Sequence, residues 1–477
     1  MSQMSGATMN TKSAALSDRS NSTPTDETSD AIDIAALIDS HPLSRFQKWV
    51  MVLVGFSVVM DGFDVQAMGF VAPSIIHEWG VSRAAMGPVF ATSLIGMMLG
   101  SLILGPVADR IGRRPVLIGA TLFLSVCMFA TSFASTLPQL LVLRFITGLG
   151  LGGIMGNAIA LVSEYSPTRK RATLMMWVSC GFTGGAVLGG LASAALIPAA
   201  GWRSVFLFGG AVPLAIAIAM LAYLPESMQF LVLRQRGLAR VSHWLSKISP
   251  LVESCTPHRY LVREQALTGM PVSELFASGR ARVTLLLWAV NFMNLLNLFF
   301  LANWLPTIAA DAGYSVSRAS LVGTTLQVGG VIGTIAMGPL IDRWGFFRIL
   351  SPGYLIAALA IAGIGQTSHL SFTLMMAFVA VSGFGIVGAQ PANNTLAATI
   401  YPTALRATGV GWSLGVGRAG SIVGPIVAGN LMELHWSSRY LFMAAAIPAV
   451  LSCVMIAALS RDKLFASSSA ATEPELV

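Results

Sequence analysis

Gly105-Pro106-Val107-Ala108-Asp109-Arg110-Ile111-Gly112-Arg113-Arg114 returns in part 233 residues later, as Gly338-Pro339-Leu340-Ile341-Asp342-Arg343-Trp344-Gly345 with Arg348 just beyond. Each copy lies between two long apolar runs. Each reads as a tight glycine-containing turn joining two helices. Its Asp can meet the positive end of a helix, and its Arg residues can pair with acids or lipid headgroups. One copy would fit any basic loop, but two at matching places divide the chain into equivalent halves.

The correspondence extends outward from the turns. Gly148, Gly150, Gly153, Pro167 and Arg171-Ala172-Thr173 match Gly383, Gly385, Gly388, Pro402 and Arg406-Ala407-Thr408 at an offset of 235. Asp61 and Asp64 match Asn294 and Asn297 at 233. The 477 residues are 55% hydrophobic and only 10% charged, against about 25% charged in soluble domains, which excludes an ordinary solvated surface. Twelve apolar segments approach or exceed the about 20 residues that cross a bilayer: 48–71, 86–108, 115–133, 138–162, 173–197, 203–224, 284–307, 318–340, 349–366, 371–397, 408–432 and 439–459. Their unbroken apolarity lacks the alternation of a membrane β-barrel, so they are helices. The fold class is an all-α membrane protein of twelve transmembrane helices in two six-helix pseudo-symmetric bundles. Parallel repeats of this kind place a binding site near the bilayer midplane, where the halves meet.

The net charge of +8 is a topology signal and does not call for nucleic acid. With the N-terminus cytoplasmic, the opposite side carries only Arg83, Arg203, Arg318 and Arg439, and Arg144 and Arg418 fall inside spans. The other Lys and Arg all lie on cytoplasmic loops and tails, as the positive-inside rule requires. The expected organisation is a disordered cytoplasmic tail over 1–45, bundles at 46–224 and 283–462, a cytoplasmic linker at 225–282 and a tail at 463–477. A weak amphipathic turn at 32–38 and a short surface helix within 266–279 are also expected. No metal or redox spacing links the four Cys residues, no cleavable signal precedes the first apolar run, and no cofactor is expected.

Of 21 acids, only Asp61 and Asp64 lie well inside spans, with Glu164 closing the fourth near its cytoplasmic end. An intramembrane acid is costly and points to function, though helix–helix contact is the plainer alternative. Three residues apart, the two share a helix face and can share a proton. Arg418 lies near mid-membrane, where a guanidinium can hold an anionic substrate or neutralise an Asp to support the fold. Arg144 can snorkel outward or pair with Asp61. Polar side chains in spans tend to face the interior, which makes Gln327, Gln390, Asn393, Asn394, Asn294 and Asn297 candidate substrate ligands. Trp304 joins them as an aromatic wall for a ring.

The Asp109 turn, its partial repeat and Arg144-Phe145-Ile146-Thr147-Gly148 resemble the major facilitator superfamily. Asp61-Gly62-Phe63-Asp64, Gly148-Leu149-Gly150-Leu151-Gly152, Ser163-Glu164-Tyr165, Pro225-Glu226-Ser227, Trp304-Leu305-Pro306-Thr307, Arg406-Ala407-Thr408-Gly409-Val410 and Gly415-Val416-Gly417-Arg418 are similar to its aromatic acid:proton symporters. The resemblance runs from about Leu43 to the last helix. It departs at Gly156, where relatives often carry Pro; its repeat partner Pro391 is kept. The resemblance implies proton coupling at Asp61, Asp64 and Arg144. It implies a conformational switch at Gly105, Asp109, Arg110, Gly112, Arg113, Asp342, Arg343, Glu164 and Arg406. The expected function is uptake of a small aromatic carboxylate with protons across a bacterial inner membrane, by a monomer with both termini cytoplasmic. An aliphatic acid from ring cleavage is the alternative cargo. A membrane sensor lacks a signalling domain, and an enzyme lacks a nucleophile–base pair within the spans.

Overall fold

A computed structural model describes residues 31–235, 237–248, 259–261, 272–277, 279–367, 371–401 and 403–461. The spans are α1 Arg45–Trp79, α2 Arg83–Ile111, α3 Arg113–Ser132, α4 Leu137–Glu164, α5 Thr168–Ala200, α6 Arg203–Tyr223, α7 Ala281–Asp311, α8 Val316–Trp344, α9 Phe346–Thr367, α10 Phe372–Ile400, α11 Thr403–Glu433 and α12 Ser438–Ser460. All except α11 are apolar enough over their length to cross a membrane. Although α11 is 31 residues long, Arg418, Asn430 and a series of glycines dilute its hydropathy. The twelve expected segments are all helical.

Polarity is inverted relative to a soluble protein. The exposed large side chains include Leu102, Phe133, Leu359 and Ile335, while Asp61, Asp64, Arg144, Asn291 and Asn297 are buried. That is the distribution lipid demands: apolar groups outward, polar groups satisfied or used within.

Glycines set the helix spacing. A Cβ on Gly62 or Gly185 would stand 1.8 Å from the backbone oxygen of Phe182 or Val59, so α1 and α5 pack backbone to backbone. In the other half, Gly420 and Gly424 abut Phe292 and Leu296 of α7 in the same way. Gly96 and Gly148 join α2 to α4, as Gly329 and Gly383 join α8 to α10. The broken spans also correspond. α4 breaks at Gly152–Gly153, between Leu137–Leu151 and Ile154–Glu164, and α10 breaks around Gly388. The break in α4 is thus at Gly152–Gly153, ahead of Gly156, which lies within Ile154–Glu164.

Three expectations change. The turn after the second span is narrower than the motif: Gly105 and Pro106 lie inside α2, and only Gly112, at φ 109°, breaks the helix. In the second half Gly345 does the same at φ 81°. A single positive-φ glycine suffices because the next helix starts at once. Second, order begins well before residue 45. Ala31–Asp33 pairs in parallel with Arg259–Leu261 of the linker, and Ile34–Ser40 is helical with Ile34 and Ile38 buried. The Asp33 side chain caps that helix, and the Asp39 carboxylate accepts from Thr168 N–H and Oγ1–H at the start of α5. Third, the linker holds helices Met228–Leu233 and Leu238–Ser246, and within 266–279 a 3-10 turn at Val272–Leu275. The expected tail over 1–30 and that over 463–477 lie outside the described residues.

The linker lies at one end of the two bundles, the linker end. At the opposite end the halves are closed on each other. Arg83 of α2 forms a two-point ion pair with Asp311 of α7, at 2.7 and 2.8 Å. Ser317 of α8 donates to Ala194 O of α5 at 2.7 Å. Gly87 and Gly69 seat directly against Pro425–Ile426 and Ala302–Asn303.

Candidate functional site

The middle of α1 carries the two acids, and the structure gives them different company. Asp64 receives both η nitrogens of Arg144 at 2.8 Å. Arg144 also donates to Asp64 O and to Ser93 Oγ, both at 3.3 Å. This pair is 0–1% exposed and has the bidentate geometry that makes an Arg–carboxylate bond strong. Arg144 was a possible partner of Asp61; it holds Asp64 instead. Both Asp61 oxygens are buried with no hydrogen-bond partner among the described residues. The opposite charge acting on Asp61 is Arg418, with no ion pair within 4 Å between them.

Arg418 projects from the middle of α11 across the bundle boundary and donates to Met97 Sδ of α2 at 3.4 Å. The charge set is therefore two acids and two guanidinium groups drawn from α1, α4 and α11. It does not follow the repeat. Val379 and Thr183 stand at the positions that mirror Arg144 and Arg418.

On α7, Asn291, Asn294 and Asn297 are buried at intervals of three residues. Asn294 donates to Gln390 Oε1 at 2.6 Å, and Gln390 reaches Asn291 and Asn394 at 3.5 and 3.4 Å. Asn291 also donates to Ser413 Oγ at 2.7 Å. This α7–α10–α11 cluster brings three of the expected ligands together: Asn294, Gln390 and Asn394. Asn297 is fully buried, with neither amide atom paired among the described residues. Gln327 is buried on α8. Two candidates lie elsewhere. Asn393 turns away into its own bundle and donates to Tyr354 OH at 2.6 Å. Trp304 is buried toward the opposite end, edge-on to Phe90 at 5.3 Å, with its indole N–H held by Pro425 O at 3.0 Å. It closes the boundary between the bundles, and its polar atom is already used.

Between that closure and Arg144 lies a void of about 10 Å³, lined by residues including Ser93, Phe299 and Asn303. That is about the smallest space a single water needs.

At the linker end three switch residues of the first half, Asp109, Arg113 and Glu164, form one network. Arg113 pairs with Asp109 at 2.8 Å and approaches Glu164 at 3.8 Å. Ser227 donates to Glu164, and Glu226 accepts from Arg114 N and Ser227 N. A Cβ on Gly112 would meet the Glu226 carboxylate at 2.3 Å, which adds to the φ of 109° that favours glycine there. Pro225-Glu226-Ser227 therefore completes the Asp109 turn, a role its sequence alone did not reveal. Arg110 is exposed, and Gly105 lies within α2. In the second half, Asp342 and Arg343 are exposed; Asp342 has no ion pair among the described residues, and Arg343 lies over Trp344 at 5.5 Å. The side chain of Arg406 lies outside the described residues.

A family model described as Major Facilitator Superfamily matches residues 54–268 and 287–475. The chain is similar to the 4-hydroxybenzoate transporter PcaK of Pseudomonas putida, 41% identical over 89% of this chain and 95% of that protein. It is also similar to a gallate transporter of Pseudomonas putida, 39% identical over 91% of this chain and 97% of that one. Among solved structures, a bacterial homologue of the human lysosomal transporter Spinster superposes with a TM-score of 0.68 at 18% identity, covering 87% of this chain and 97% of that one. That likeness concerns the fold.

Proposed function

Because the chain belongs to the major facilitator superfamily, a family of membrane transporters, we propose that it is a proton symporter taking up a small aromatic carboxylate by alternating access. The observation that carries this reading is the division of labour between the two acids. Protonating Asp64 would break a buried bidentate ion pair. Protonating Asp61 displaces no donor. Asp61 is therefore the proton carrier, and Asp64 with Arg144 is the fixed scaffold beside it.

Arg418, whose guanidinium donates to a thioether among the described residues, is the anchor for the substrate carboxylate. Sulfur is a weak acceptor, so a carboxylate replaces it at little cost. Asn294, Gln390, Asn394 and Asn297 supply polar contacts for ring hydroxyls. Gln327 contributes from α8, and Trp304 serves the closure at the opposite end. The names of relatives that carry 4-hydroxybenzoate and gallate support an aromatic acid as cargo.

The linker end is cytoplasmic in this reading, the membrane is a bacterial inner membrane, and the unit is a monomer with no cofactor beyond the coupling protons. The Asp109 network, together with Arg110, Asp342, Arg343 and Arg406, contacts across the bundle boundary only when that end closes. Proteoliposomes loaded with this protein should accumulate benzoate-type acids when the outside is acidic. Uptake that persists after the pH gradient is collapsed would exclude proton symport. Preference for aliphatic dicarboxylates would exclude the aromatic cargo.

A further inference from the structure

Met97 Sδ of α2 accepts from Arg418 Nη1 at 3.4 Å. It sits at the middle of α2, on the bundle opposite to Arg418, and is 5% exposed. Its backbone packs closely against α4, where a Cβ on Gly148 would lie 3.0 Å from Met97 N. Its side chain is adaptable, having three rotatable bonds and a polarizable sulfur. A carboxylate that takes the place of the sulfur on Arg418 leaves the thioether within contact distance of whatever carries that carboxylate. In a benzoate-type acid the ring begins one bond away.

We propose that Met97 is a specificity-determining residue whose thioether packs against the aromatic ring of a substrate anchored on Arg418. This rests on the reading of Arg418 as the carboxylate anchor. Sulfur at a ring edge favours an aromatic face over a saturated one, and leucine offers similar volume without the sulfur. The residue thus selects for aromaticity, while Arg418 selects for the carboxylate.

The test compares binding of benzoate and cyclohexanecarboxylate to purified wild type, Met97→Leu and Arg418→Ala, by calorimetry on full-length protein in detergent. Wild type should prefer benzoate. Met97→Leu should bind both acids and lose roughly two- to tenfold of that preference. Arg418→Ala should weaken both acids together. A preference unchanged in Met97→Leu overturns the role of Met97 and leaves the aromatic-carboxylate reading intact. Absence of any benzoate binding in wild type overturns both. If Met97→Leu unfolds, Met97→Gln, tested on the same pair, keeps length and flexibility without sulfur and carries the same two outcomes.

Discussion

At the scale of single residues, two carboxylates one helical turn apart have opposite surroundings. Asp64 has a dedicated guanidinium and Asp61 has none. Breaking a buried pair by removing one partner costs about 3–5 kcal/mol, so Arg144→Ala should lower the melting temperature of the detergent-solubilised protein sharply. Asp61→Asn breaks no pair and should leave that temperature unchanged or higher, while abolishing accumulation against a gradient. Equal thermal losses in the two variants would contradict this assignment. Both acids were legible in the sequence as intramembrane charges. Their difference was not, because helix position says nothing about which Arg reaches which carboxylate.

At the scale of elements, spacing between helices rests on particular glycines. A Cβ on Gly185 would meet Val59 O at 1.8 Å, whereas nothing lies within 4 Å of one on Gly184. Overpacking of this kind costs about 1–3 kcal/mol. Gly185→Ala should therefore reduce thermal stability and the yield of folded protein, with Gly184→Ala near wild type in the same assay. The N-terminal strap gives a second prediction. Hydrogen bonds from Thr168 hold the Asp39 carboxyl below its ordinary value. A depressed carboxyl stabilises the docked form above its ordinary range near 3.9 and loses that contribution as pH falls through the lower folded value. Limited proteolysis around 31–44 should be constant from pH 5 to 8 and rise only in stronger acid. Asp39→Asn should raise it at neutral pH. Composition shows a polar tail with one amphipathic turn at 32–38, and Ile34–Ser40 is that turn; its docking is not legible, because its strand partner lies more than two hundred residues away.

At the scale of the whole molecule, the end opposite the linker is closed by an ion pair, an edge-on aromatic pair and glycine contacts. The Arg83–Asp311 pair is partly exposed and worth at most about 1 kcal/mol. Trp304, buried against Phe90 and bonded to Pro425, is the stronger fastening. Trp304→Ala should shift the population toward opening at that end, read as several-fold faster maleimide labelling of a Ser320→Cys reporter, with Arg83→Gln giving a smaller change. The sequence alone determined the twelve helices, their two-fold repetition and the short list of intramembrane charges, because apolarity, spacing and charge scarcity are properties of the chain itself. Tertiary structure decided that Arg144 takes Asp64, that Arg418 meets Met97, that Glu226 completes the Asp109 turn and that Trp304 is a fastening. Each of these is a contact between helices distant in sequence, fixed by where close-packed backbones let side chains reach.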